Sequence, residues 1–200
     1  MTVLLEPRDY ATAVRLDAWD MDEDTSHAWN TSDIDSVALN WDTTSSGWTD
    51  SVSGMFEGVV LYDDSVTDDY RADISLAIPT SPSQYIDTDL YHMLSLGIVG
   101  YNPNPQPGGA FGLYVQWRDS LGAASGWKNL LAGTGYAVGN GWDQYAVIGP
   151  IDLDDVIDLV WGSDKASALW LRIYSGLPPW GTPDPIDVRI GWIKLEESAP

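Results

Sequence analysis

Residues 168–174 read Ala-Leu-Trp-Leu-Arg-Ile-Tyr, with a large aliphatic at every second position. Successive side chains of a strand point to opposite faces. Leu169, Leu171 and Ile173 therefore share one face, and Trp170, Arg172 and Tyr174 share the other. The same period of two runs through residues 72–78, 91–99 and 111–118, and 188–195 reads as a further strand. Weaker strand signals fall at 12–16, 36–41, 54–62, 127–131 and 142–148. Gly (19) and Pro (12) interrupt nearly every stretch, so no long helical period survives. The best helical segment, 152–160, is short and reads as a loop turn. Eight to ten strands without helical crossovers imply antiparallel pairing. The expected fold is all-β, an antiparallel two-sheet β-sandwich formed by residues 1–200 as one domain. Residues 1–10 are expected to be a flexible or exchanged segment at its start.

Composition narrows the partners. The 200 residues carry 30 acidic and 9 basic side chains, a formal net charge of −21. Nucleic acid binding needs Lys and Arg to displace counterions from phosphates, so it is excluded. An anionic membrane surface is disfavoured for the same reason. No apolar run approaches the roughly 20 residues that span a bilayer, so membrane insertion is not expected. There is no Cys, which removes disulfides and thiolate metal sites. Residues 1–8 lack a basic stretch followed by a long apolar one, and the chain reads as a piece of a larger secreted or cell-surface protein.

Aromatic usage is the functional clue. There are 11 Trp and 10 Tyr against 2 Phe. Indole and phenol carry a polar handle and serve on wet surfaces, where one face stays apolar. Sugar rings stack well on such faces through their axial C–H bonds. The expected ligand-binding set is Trp142, Gln144, Trp170, Arg172, Tyr174 and Trp180, with Tyr101 and Trp127 at loop edges. Trp142 and Gln144 are expected to point outward, and Tyr145 and Val147 inward. For any single ring, core packing is the competing explanation. For Arg172, a surface cation–π contact across its neighbours Trp170 and Tyr174 is the alternative to bridging sugar hydroxyls.

Several segments resemble the galactose-binding-like jelly rolls, which include families of carbohydrate-binding modules. They are Ile86-Asp-Thr-Asp-Leu-Tyr91, Phe111-Gly-Leu-Tyr-Val-Gln-Trp117, Gly141-Trp-Asp-Gln-Tyr-Ala-Val147, Trp161-Gly162, Leu169-Trp-Leu-Arg172 and Ile190-Gly-Trp-Ile-Lys-Leu195. The resemblance covers about two thirds of the chain and is made mostly of packing residues, which specify fold more than function. It implies a non-catalytic module that binds polysaccharide. It also implies a structural calcium tying the first and last strands. Gly191 stands where relatives often carry Asp and cannot supply a carboxylate. Asp187, with Asp17, Asp20 and Asp22, would substitute. A solvated acidic loop is the plainer account of residues 17–24. As an EF-hand the run fails, with Thr25 at the Gly position and Thr31 at the Glu position counted from Asp20.

Catalytic patterns are missing from the sequence. Glycoside hydrolysis needs two carboxylates across a cleft, and Asp63-Asp64 and Asp68-Asp69 are sequence neighbours that read as turns. His27 and His92 are the only histidines, and no Gly-x-Ser-x-Gly elbow occurs. His92 is expected to be a buried, hydrogen-bonded imidazole. The rival to sugar binding is a structural or assembly module that uses exposed aromatics and edge strands for self-association. If a structural calcium is present, the melting midpoint rises with added calcium and falls with chelator. An unchanged midpoint in a calorimetric scan argues against it.

Overall fold

The computed structural model describes residues 6–16, 18–19, 34–39, 43–49, 55–60, 69–76, 82–102, 111–157, 159–162, 165–176 and 186–198. The strands in chain order are β1 (Ile34–Leu39), β2 (Thr43–Thr49), β3 (Met55–Val60), β4 (Asp69–Leu76), β5 (Ile86–Asp87) and β6 (Tyr91–Tyr101), followed by β7 (Gly112–Arg118), β8 (Lys128–Asn129), β9 (Ala146–Asp152), β10 (Lys165–Ala166), β11 (Ala168–Gly176) and β12 (Ile186–Glu197). One five-stranded sheet runs β1-β4-β11-β7-β8 and the other β2-β3-β12-β6-β9, with β5 and β10 as a small separate pair. The strand pairs are antiparallel. This is the expected all-β, two-sheet jelly-roll sandwich.

Alternation explains the core. Leu169, Leu171 and Ile173 of β11, with Leu113, Val115 and Trp117 of β7, are buried on the inner face of one sheet. Leu94, Leu96 and Ile98 of β6, with Val188, Ile190, Ile193 and Leu195 of β12, are buried on the inner face of the other. All belong to one cluster. Trp161 seals one part of it. Its indole N–H donates to the Tyr91 carbonyl at 3.1 Å, and its ring meets Trp117 edge-on at 5.5 Å.

The start of the chain differs from expectation. Residues 12–16 were expected as a strand, but Ala11–Arg15 form a single wide helical turn. The Asp9 carboxylate accepts from both Thr12 N and Thr12 Oγ1 at 3.0 Å, a local side-chain bond that a lone alternating pattern does not reveal. Nor is the stretch around Arg8 to Tyr10 loose. Asp9 bridges Glu196, the Glu197 amide donates to the Arg8 carbonyl at 3.0 Å, and the Arg8 guanidinium donates to the Glu197 carboxylate. Tyr10 is fully buried and donates its hydroxyl to the Gln84 carbonyl. These residues pair with β12 of their own chain. Further strands missed from sequence are β2, whose Thr43–Thr49 stretch carries little apolar alternation, and the two-residue β5 and β10. Residues 153–155 form one tight helical turn, in keeping with a loop.

The two faces of β11 predict unequal effects of truncation. Leu171→Ala should cost about 2–5 kcal/mol in urea unfolding. Arg172→Ala, on the outer face, should cost about 1 kcal/mol or less. Equal losses would show that the alternation is misassigned.

Candidate functional site

The outer face of the sheet containing β12, β6 and β9 is set by a change of phase in β12. Val188 and Ile190 point into the core, and so do Ile193 and Leu195, although strict alternation cannot bring all four to one side. The pairing resolves this. Ile190 lies opposite Ile98, but Trp192 lies opposite Gly97, so Gly191 is an extra residue in β12. Such a bulge re-aims the side chains that follow it. Arg189, Trp192 and Lys194 thereby reach the outer face together.

Gly97 is the low point of that face. A Cβ there would lie 1.8 Å from the Tyr145 hydroxyl and 2.6 Å from Trp192 Nε1. Only a glycine lets both rings settle over β6. Trp192 donates its indole N–H to the Tyr145 hydroxyl, and burial raises the Tyr145 phenol above its ordinary value despite that bond.

The loop before β9 extends the row of rings. Gly141 N donates to the Gly100 carbonyl at 2.9 Å. Asn140 clasps Asn102 in both directions: Asn102 N donates to Asn140 Oδ1 at 2.7 Å and Asn140 Nδ2 donates to the Asn102 carbonyl at 2.9 Å. With the loop pinned there, Trp142 stacks on Tyr101, with centroids 5.4 Å apart and planes 25° from parallel. The Arg189 guanidinium lies 3.9 Å from the centre of the Trp142 ring. Despite these contacts Trp142 is 39% exposed, Tyr101 36% and Tyr145 41%, so ring surface remains open to solvent. Gln144 braces the loop, donating from Nε2 to the Asn140 carbonyl at 3.3 Å. Trp192 and Lys194 also line a hollow of about 600 Å³ with Trp19, Thr12 and Arg8.

The ligand-binding residues expected from sequence divide between two surfaces. Trp142 and Gln144 belong to the face just described. Trp170 and Arg172 lie on the outer face of the other sheet, since Leu169, Leu171 and Ile173 beside them are buried. Trp170 pairs in register with Gln116 and Ser75, Arg172 with Tyr114 and Asp73, and Tyr174 with Gly112 and Arg71. Arg118 lies over the Trp170 ring at 4.5 Å and Arg172 over Trp127 at 3.9 Å. Arg172 thus makes a cation–π contact with Trp127, while Arg118 is the cation over Trp170. Asp187 sits in β12 opposite Val59 and Tyr101. Trp180, Asp17, Asp20 and Asp22 lie outside the described residues.

One orientation is corrected. Tyr145 and Val147, expected inward, are 41% and 56% exposed. The strand starts at Ala146 and Val147 lies opposite Gly97, which places it on the outer face, while Ile148 is buried. Trp192 and Arg189 were missed. The sequence held a signal for Trp192: aliphatic alternation before Gly191 is out of phase with that after it, and a glycine marks the break.

No family model and no curated protein matches this sequence. Among solved structures the chain is similar to a non-crystalline cellulose specific carbohydrate-binding module, CBM28, at 9% identity over 81% of this chain and 88% of that one, with a TM-score of 0.46. It is similar to Caldicellulosiruptor saccharolyticus CBM27-1 in complex with mannohexaose, at 15% identity over 98% of both chains, with a TM-score of 0.43. It is also similar to a protein of infectious bursal disease virus Gt strain, at 9% identity and a TM-score of 0.44, covering 81% of this chain but 31% of the viral one. The expected resemblance to carbohydrate-binding β-sandwich modules is thus a likeness of fold. At these identities and TM-scores it fixes no ligand and no residue.

Gly97→Ala should leave far-UV circular dichroism intact but change the near-UV aromatic signal, because the added methyl displaces Tyr145 and Trp192. An unaltered near-UV spectrum would contradict the packing over β6.

Proposed function

We propose that this chain is a non-catalytic module that binds a polysaccharide on the outer face of the β12–β6–β9 sheet. One observation carries the proposal: the outer face bears two partly exposed aromatic pairs along β6, Tyr145 with Trp192 over Gly97 and Tyr101 stacked on Trp142 at the strand's end. Flat rings offer stacking area to the C–H faces of sugars at low entropic cost. Arg189 and Lys194 border the rings with N–H groups suited to sugar hydroxyls. Asn140, Asn102 and the Gly141–Gly100 bond hold the loop before a ligand arrives, so little ordering remains to be done on binding. Trp170 and Arg172 on the other sheet form a second, smaller candidate surface, where the Trp170 ring is covered by Arg118. The acidic composition and the lack of Cys suit an extracellular setting for the module.

The test is a titration with soluble polysaccharides, including cellulose derivatives and mannans, followed by Trp fluorescence. Trp142→Ala and Tyr101→Ala should each weaken binding about tenfold or more, equivalent to roughly 1.4 kcal/mol. Trp170→Ala should leave affinity unchanged, and a loss confined to Trp170→Ala would move the site to the other sheet. Silence across the panel from folded protein would overturn the proposal. If that silence accompanies a dimer dispersed by Trp142→Ala in light scattering, the same rings serve assembly instead.

A further inference from the structure

A separate constellation forms where β6 begins and β9 ends. Tyr91 pairs with Glu197 and Met93 with Glu196, so His92 is an extra residue in β6, another bulge. Its imidazole meets the turn that follows β9. His92 Nδ1 lies 2.9 Å from Asp152 Oδ1 and 3.5 Å from Asp154 Oδ2. One ligand atom from each of the three residues can be chosen so that all lie within 4.8 Å of one another.

Those spacings have a chemical meaning. Imidazole nitrogen and carboxylate oxygen bind zinc-type ions at about 2.0–2.2 Å, which puts neighbouring ligand atoms about 2.9 Å apart at right angles and about 3.4 Å apart at the tetrahedral angle. The two separations measured from His92 Nδ1, 2.9 and 3.5 Å, lie close to those values. Supporting contacts hold each ligand. Ser198 Oγ lies 2.7 Å from His92 Nε2, which fixes the ring orientation from behind. Asp154 N donates to Asp152 Oδ1 at 3.0 Å. Gly162, at φ +92°, leaves room for Asp154: a Cβ there would lie 3.0 Å from Asp154 Oδ1 and 3.7 Å from Asp89 Oδ1. Two ligands plus Asp89 and Asp155 concentrate negative charge. A divalent cation would offset that charge.

We propose that His92, Asp152 and Asp154 form a binding site for one divalent transition-metal ion of zinc type. The imidazole selects against calcium and magnesium, which take oxygen ligands. The site uses none of the residues of the aromatic face or of the acidic run at residues 17–24. With three protein ligands it keeps an open coordination position for water. Its placement ties the start of β6, the end of β9 and the tail after β12, so the bound ion stabilises the native state.

The experiment uses the full chain with zinc, cobalt and calcium salts added singly. Equilibrium dialysis should find one zinc per chain, and the melting midpoint should rise with zinc. His92→Gln and Asp154→Asn should each weaken zinc binding at least about tenfold. The chain has two histidines, His27 and His92, so their ring signals can be followed separately by NMR in the unmodified protein. Zinc should shift the His92 signals and leave those of His27 in place, a readout that does not depend on how the variants fold. No bound zinc, zinc that moves only His27, or zinc affinity unaltered in both variants would overturn the proposal. A stronger response to calcium than to zinc at His92 would also do so.

Discussion

The aliphatic layer between the two sheets governs the remainder of the molecule. Leu113, Val115, Leu169, Leu171 and Ile173 from one sheet close against Leu94, Leu96, Ile98, Val188, Ile190, Ile193 and Leu195 from the other. Burial of apolar side chains of this size is the largest favourable contribution to folding, at about 1.5–3 kcal/mol each before entropy is set against it. Because a strand has two faces, fixing the inner residues fixes the outer ones. Trp170, Arg172, Arg189 and Lys194 face away from the core as a consequence of what their neighbours bury.

Bulges are what make the outer surface more than a by-product. The extra residue at Gly191 lets β12 keep Ile193 and Leu195 inside while turning Trp192 out. The extra residue at His92 presents an imidazole to the turn after β9. Both bulges lie on the β6–β12 pair, the central pair of one sheet. Irregularity of this kind interrupts the pairing ladder and persists where the surrounding structure over-determines it. The two proposed sites therefore share an origin: each is assembled where the pairing of β6 with β12 skips a residue.

Among the described residues the aromatic side chains range from sealed to exposed. Tyr10, Trp19, Tyr91, Trp117 and Trp161 are sealed in the interior, whereas Tyr101, Tyr136, Trp142 and Tyr145 remain exposed. Cations complete the outer rings: Arg118 covers Trp170, Arg172 covers Trp127 and Arg189 covers Trp142. In a chain with only 9 basic residues, placing three on indoles concentrates scarce positive charge at aromatic surfaces. Those guanidiniums hold ring orientation and present N–H groups beside it.

Sequence alone settled the class of fold and the inner faces of the regular strands, because a period of two is a local property that residues 91–99, 111–118 and 168–174 display unaided. It also marked Trp142 and Trp170 as rings outside the core. It did not foresee the helical turn at Ala11–Arg15, where one Asp9 carboxylate outweighs the alternation. Nor did it reveal that Trp142 and Trp170 occupy different surfaces, since strands far apart in the chain are sorted between sheets only by tertiary pairing. The closeness of Tyr145 to Trp192 over Gly97, and of His92 to Asp152 and Asp154, was likewise decided in three dimensions. Register between distant strands depends on which residues lie opposite, and that information is spread over the whole chain.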